Sequence, residues 1–348
     1  MECSSLLIDG SLPPMDARRN MPIVSYPAPF FTASVVDPVM LLVLGVLLDA
    51  LLGGARAGRL LPGPSALFAQ VVRYVEPKLN RHQRSTGTRL VRGLLLVLFM
   101  ALIAGGAGLV FVLVAGLVPG SWIVEVFLVA ALLGQGAVFM DAIGVASTLG
   151  DGSESQGDDP HQAARSGIEA LVHGFIDHGV SPIFWFLLLG LPGMLAFRAI
   201  EVTSRLVGEW ERKSLFGWAA ARSYDAVNVV PAILGGLFLV AAGLFVPSAK
   251  PLRGVGVMVR RGAAFPSFSQ GWAIAAMAGL LGLSLGGPRP KPDDERVFAR
   301  SVQVPWIRPD DGRAMLAAPD LRRALFLFAL ACLLVLAVVL LAAVIRAA

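Results

Sequence analysis

The sequence predicts an all-α polytopic membrane protein, with about four to six transmembrane or re-entrant helices joined by cytoplasmic polar loops. Three observations carry this expectation. Apolar residues make up 56% of the 348 residues and charged residues only 15%, against about 45–50% and about 25% in soluble domains. The mean hydropathy is +0.72. Apolar runs recur at lengths near the roughly 20 residues needed to cross hydrocarbon. A soluble fold of this size lacks the interior to hide so much apolar surface.

The runs come in order along the chain. Val35–Leu52 is the first. Leu94–Val118 and Trp122–Ala146 follow, separated only by Pro119-Gly120-Ser121, a connection too short to hold a domain. Ala324–Ile345 is the last and most uniform. Between them, Val180–Ile200 carries Pro182 and Pro192, and Ala226–Val246 carries Pro231. Proline removes a helix donor and marks a broken or re-entrant segment, so these two runs either span or dip. A polar extension, residues 1–33, precedes a single membrane domain, 34–348. Met1–Asn20 lacks the contiguous apolar core of a signal peptide.

Loop charge suggests an orientation. The stretch 53–92 holds Arg56, Arg59, Arg73, Lys78, Arg81, Arg84, Arg89 and Arg92 against Glu76 alone, which places it in the cytoplasm. Segment 147–179 then returns to the cytoplasm, and the basic ends of 250–323 put that stretch there too. Segment 198–225 is nearly neutral and stays unassigned. Basic loops also account for the net charge of +5, so no nucleic-acid partner is implied. Cys3 and Cys332 lie too far apart in kind and context to suggest a disulfide or metal pair.

Polar residues gather in three stretches. In the first, Asp151, Glu154, Asp158 and Asp159 read as a solvated acidic loop. Ile168, Leu171, Val172 and Phe175 then recur at helical spacing, with Glu169 and Asp177 beside them at the edge of an apolar run. There an acid must be paired or face water. His161, His173 and His178 raise a metal site, but the step from 173 to 178 puts two rings on different helix faces. The second stretch places Arg222, Asp225 and Asn228 at steps of three on one helix face. Such a row either holds phosphate with magnesium or forms a structural ion-pair ridge. The third, Pro266–Gly287, is rich in small residues and reads as close helix packing. No nucleotide-binding glycine loop, zinc-protease motif or nucleophile elbow occurs.

Three of these stretches carry a resemblance. FGWAAARSYDAVNVVPA (216–232), FIDHGVSPIFWFLLLGLPGMLAFRA (175–199) and PSFSQGWAIAAMAGLLGLSLGG (266–287), with PWI, DGR and APDLRRAL in order over 305–325, resemble the CbiB/CobD family. These are adenosylcobinamide-phosphate synthases, membrane proteins of cobalamin biosynthesis in the cell inner membrane. The resemblance implies ATP-dependent amide formation between adenosylcobyric acid, a corrinoid, and an aminopropanol phosphate. It also implies ATP and Mg2+ as co-substrate and ion, the lipid bilayer as surroundings and other cobalamin-biosynthesis proteins as partners. Matched residue by residue, it offers Asp49, Glu169, Asp177, Arg198, Arg222, Asp225 and Asn228 as polar candidates, and the chemistry of the reaction suggests Asp177, Asp225 and Glu169 for catalysis. Arg198, Arg222, Asn228 and Asp49 are offered for substrate binding, with no metal ligand.

The sequence also departs from the family pattern. Gly53-Gly54-Ala55 stands where the family has Gly-Asp-Pro, and Gly63-Pro64 where it has His-Pro. His173-Gly174 replaces Glu-Asn, and His178 a glycine. Ser204-Arg205 replaces Asp-Ser, Tyr224 the first of two aspartates, and Ser269 and Ile274 an asparagine and a glutamate. Two readings therefore stand beside each other: a divergent synthase, and a non-catalytic paralogue acting as a binding, sensing or assembly subunit. A transporter is a third and weaker one.

Overall fold

The computed structural model describes residues 36–53, 63–80, 85–150, 159–208, 215–287 and 304–347. The N-terminal extension and the acidic residues Asp151, Glu154 and Asp158 lie outside the described residues, as do Gly54 and Ala55. Eleven α-helices are described. They are α1 (Pro38–Leu52), α2 (Pro64–Leu79), α3 (Thr86–Ala115), α4 (Trp122–Leu133), α5 (Gln135–Gly150) and α6 (Pro160–Phe175), then α7 (Ser181–Val207), α8 (Leu215–Gly243), α9 (Pro251–Arg261), α10 (Gly271–Leu281) and α11 (Ala318–Ala347). A π-helical turn, Ile176–Val180, joins α6 to α7. Among the described residues five helical stretches are long and apolar enough to cross a membrane: Gly87–Ala115, Trp122–Gly150, Pro160–Val207, Leu215–Gly243 and Ala318–Arg346. The all-α, multi-pass reading holds.

Local chemistry explains the boundaries. Asp37 caps α1, its carboxylate accepting from the Val39 N–H at 2.7 Å with Pro38 at the first helical position, where a missing donor costs nothing. Asp159 caps α6 in the same way, through the His161 N–H. The first apolar run yields only 15 helical residues, about 22 Å at the usual rise, and α1 is too short to cross alone. The run Trp122–Ala146 is broken at Gly134, whose φ of 94° is costly for any residue with a Cβ. In the run Val180–Ile200 the break falls at Gly190, φ 68°, immediately before Leu191 and Pro192. Pro231 does not interrupt α8, which begins at Leu215 and so takes FGWAAAR into the helix.

Helices approach closely where small residues face each other. Gly93 of α3 lies against Phe216 and Ala219 of α8, and Gly108 against Pro192 and Leu195 of α7. Gly174 of α6 receives the Val138 side chain of α5, and Gly53 meets Gly136. Helix α10 is buried nearly throughout, which is the packing role its small residues suggest. Of the connector after it, the described part is tied down: Leu285 and Ile307 exchange both backbone hydrogen bonds at 2.9 Å, and the Ser284 N–H donates to the Arg313 carbonyl.

The orientation by loop charge needs correction. Helix α8 is continuous over 29 residues, about 43 Å at 1.5 Å per residue, enough to cross a hydrocarbon core of about 30 Å. Its first turns pack on Gly93, near the start of α3 and its Arg89 and Arg92, whereas its last residue, Gly243, packs on Leu280 of α10 and is followed by Lys250. The two basic stretches thus flank opposite ends of a crossing helix, so both cannot face the cytoplasm. The same contact places segment 208–214 at the end of the bundle where α3 begins.

A valine at Gly108 would drive its Cβ to 2.8–2.9 Å from Pro192 and Leu195, while nothing lies within 4 Å of a Cβ at Gly106. Overpacking of this kind costs about 1–3 kcal/mol. Gly108→Val is expected to lower the thermal unfolding midpoint in detergent clearly, and Gly106→Val to leave it nearly unchanged.

Candidate functional site

The polar residues of the middle of the bundle converge on the π turn. A π turn inserts an extra residue into the helical ladder and re-aims the side chains around it; here it presents Asp177 to α8. Asp177 Oδ1 accepts from the Tyr224 hydroxyl and from Asn228 Nδ2 at 3.4 Å, and Oδ2 accepts from Gln270 Nε2 at 3.1 Å. The Tyr224 oxygen accepts from Asn228 Nδ2 at 2.6 Å and Gln270 Nε2 at 2.9 Å. Ser181 donates its hydroxyl to Asn228 Oδ1. Tyr224 and Asn228 share a face of α8 by their spacing of four.

One residue round the helix, Asp225 faces the loop before α10. Its Oδ1 accepts from Ser267 Oγ at 2.8 Å, the Ser269 N–H at 3.0 Å and Ser269 Oγ at 2.8 Å, and its Oδ2 accepts from Arg222 Nη1 at 2.8 Å. The row Arg222–Asp225–Asn228 is therefore divided. The first two form an ion pair that fastens the loop, and Asn228 belongs to the Asp177 network. Arg222 keeps 36% of its side chain exposed and lies beside the Trp218 ring.

Arg198, 3% exposed, ties three elements together. Its Nη1 donates to the Asp177 carbonyl and to Glu201 Oε2, both at 3.2 Å, and its Nη2 donates to the Leu133 carbonyl at 2.9 Å. The same nitrogen lies 2.8 Å from His178 Nδ1. His178 Nδ1 also lies 3.1 Å from the Leu133 carbonyl, so the ring and Arg198 meet at the same backbone oxygen. Glu201 also pairs with Arg205. Asp49 reaches across from α1 to accept from the N–H groups of Gly134, Gln135 and Gly136 at 3.1, 2.9 and 3.3 Å, capping α5 from a distant part of the chain. Glu169 stands apart on α6, where its Oε1 accepts from the Gly286 N–H at 2.6 Å.

The structure thus gathers Asp177, Asn228 and Arg198 directly, sets Asp225 and Arg222 on the adjoining face, and leaves Glu169 and Asp49 at backbone positions elsewhere. His161 Nδ1 lies 2.7 Å from the Leu316 carbonyl and the His173 ring packs near Phe265. Among the described residues no three His, Cys, Asp or Glu side chains converge as metal ligands. Tyr224, Gln270, Ser181 and Glu201 join the site beyond the sequence candidates, Tyr224 having entered only as a departure from the family pattern. The spacing of four between Tyr224 and Asn228, and of three and four from Glu201 to its arginines, are signals visible in sequence. Gln270 has none.

Removing one partner of a buried ion pair costs about 3–5 kcal/mol, and of an exposed one under about 1 kcal/mol. Arg198→Met, which takes a buried donor from Glu201 Oε2 and from the Asp177 and Leu133 carbonyls and leaves Glu201 to Arg205 alone, is expected to lower thermal stability in detergent several times more than Arg222→Ala.

The CobD/Cbib protein family model matches residues 42–328. A cobalamin biosynthesis protein CobD from Rhizobium meliloti (strain 1021) is 32% identical over 317 residues, covering 84% of this chain and 93% of that one. A protein of that name from Brucella suis biovar 1 (strain 1330) is 29% identical over 311 residues, 83% and 92% of the two chains. Another, from Rhodobacter capsulatus, reaches 37% over 179 residues, 49% and 52% of the two. No solved structure matches the chain. With four fifths of its length inside the family model and nearly the whole of a relative aligned, the chain belongs to the CobD/CbiB family.

Proposed function

We propose that this multi-pass membrane protein acts in cobalamin biosynthesis, in the inner membrane, by joining a corrinoid carboxylate to the amine of an aminopropanol phosphate at the expense of ATP. The reading rests on the relatives named cobalamin biosynthesis protein CobD and above all on one observation: the Asp177 carboxylate, on a π turn inside the bundle, faces polar groups from α8 and the loop before α10, while Arg198 of α7 holds its backbone carbonyl. Polar and ionisable groups inside a membrane domain are expensive and mark pathways or reaction centres.

Amide formation requires an activated carboxylate, an amine relieved of a proton and compensation for phosphate charge. Asp177 is the group suited to receive the amine proton, with Tyr224, Asn228 and Gln270 fixing its orientation. Arg222, partly exposed beside Trp218, is placed for phosphate, and Asp225 holds it there. Arg198, sealed within the protein, positions Asp177 through its backbone carbonyl. Asn228 orients Asp177 from α8. Glu169 and Asp49 hold the segments on which these groups stand. Magnesium would arrive with ATP, since that ion keeps phosphate and water ligands and takes one or two carboxylates.

A second reading has an observation of its own. The polar atoms around Asp177 and Asp225 satisfy one another, as they would in a binding or assembly subunit that no longer turns over. Complementation separates the two. In a bacterium lacking its own adenosylcobinamide-phosphate synthase and supplied with cobyric acid, the chain is expected to restore cobalamin-dependent growth. Asp177→Asn is expected to abolish it, and Tyr224→Phe to weaken it, with membrane levels unchanged. A well-inserted wild-type chain that supports no growth would establish the non-catalytic reading.

A further inference from the structure

Helices α9 and α10 do not lie on the surface at the end of α8. They run back along it. Gly243, the last residue of α8, packs on Leu280 and Pro251, the C-terminal and N-terminal ends of α10 and α9. Further back, Gly236 meets Met258 and the Trp272 carbonyl. Further still, Asp225 holds Ser267 and Ser269 at the tip of the pair. Asp225 is eighteen residues before Gly243, about 27 Å along the helix axis. Two helices of 11 residues each, too short to cross, thus form a re-entrant hairpin whose tip passes the midpoint of a spanning helix.

Arg260 and Arg261 end α9 between the tip and the level of Gly236, which Met258 meets, about 10 Å inside the end of α8. Gly262, next in sequence, packs on Trp272, whose carbonyl lies beside Gly236. Both arginines are exposed and have no ion-pair partner among the described residues. The lipid-facing side of α9 is a different one: Leu252, Val255 and Val259, 90%, 37% and 67% exposed, follow one another at helical spacing. Two unpaired guanidinium groups alongside a spanning helix, inside its end, are costly against acyl chains and face water or an anion.

We propose that Arg260 and Arg261 line a water-filled vestibule at the hairpin tip that binds a soluble phosphate-bearing molecule on its way to the Asp177 network. The choice of phosphate rests on the ligase reading above; the vestibule itself does not. Planar guanidinium groups recognise phosphate by paired hydrogen bonds. Arg222 is fastened through Asp225 to the same tip loop, so the three arginines stand along one short stretch of structure.

The test needs no turnover. In a chain with Cys3 and Cys332 replaced by alanine, in nanodiscs of zwitterionic lipid, Arg260→Cys and Arg261→Cys are treated with a charged, membrane-impermeant thiol reagent. Val259→Cys is the control at the same depth on the apolar face. The two arginine positions are expected to react about tenfold faster or more than Val259→Cys, as water access requires, and to be slowed by millimolar inorganic tripolyphosphate. Phenylglyoxal labelling of the unsubstituted chain, read by mass spectrometry, gives the same comparison without a variant. Cysteines as inert as Val259→Cys, with unlabelled arginines in the native chain, would overturn the vestibule. Reaction that tripolyphosphate does not slow would overturn the anion site. Protection by anionic lipid alone would give the arginines to a headgroup and overturn a soluble ligand. Failure of complementation with the labelling pattern intact would sink the ligase reading and leave the vestibule.

Discussion

The guanidinium of Arg198 is the group on which the centre of this protein depends. It closes the orphan carbonyls left where the α4–α5 run breaks at Gly134 and where the π turn departs from the regular ladder, through Leu133 and Asp177 respectively. Each break leaves backbone acceptors that hydrocarbon cannot satisfy. One buried cation with two forked nitrogens answers both, and Glu201 balances its charge. His178 Nδ1 stands beside the same Leu133 carbonyl, and the π turn so held presents Asp177 to α8. Asp49 serves the complementary need, accepting from the free N–H groups at the start of α5.

The second constraint is the loop at the tip of the α9–α10 hairpin. Irregular backbone within a membrane bundle persists only where protein groups replace water. Asp225 does this for Ser267 and Ser269, and Arg222 neutralises it. The loop then delivers Gln270 to Asp177 and Tyr224. Packing by small residues, Gly254 against Leu280 and Gly279 against Arg253 and Gly254, lets the hairpin fold tightly enough to fit.

Several departures from the family pattern fall within this one network. Tyr224 stands for an aspartate and donates to Asp177. His178 stands for a glycine and meets Arg198. Arg205 pairs with Glu201, and Ser269 binds Asp225. Read singly, each looks like a lost polar function. Together they bond to Asp177, Arg198, Glu201 and Asp225, so none of them leaves a gap in the network. Ile274 differs: it is fully buried and apolar, and its carboxylate counterpart has no replacement in place.

The sequence by itself determined the class of fold, because the amount and spacing of apolar residues admits only a helical membrane bundle, and the family, because FGWAAAR and GWAIAAMAG are specific strings. It also made legible the residues that matter at helical spacing, such as Arg222 with Asp225 and the acid at 177. Only the tertiary structure decided how those residues are used. Whether Arg222, Asp225 and Asn228 act as one row depends on what stands opposite each turn of α8, and two different neighbours stand there. Which helices break depends on glycine conformations: the prolines marked the run that breaks at Gly190, but they did not mark the break at Gly134, and Pro231 stands in an unbroken α8; loop charge could not reveal that the two basic stretches flank opposite ends of a crossing helix. The pairing of Asp177 with Gln270, ninety-three residues away, follows from a hairpin folding back along α8. That is a long-range packing result, and local sequence patterns carry no trace of it.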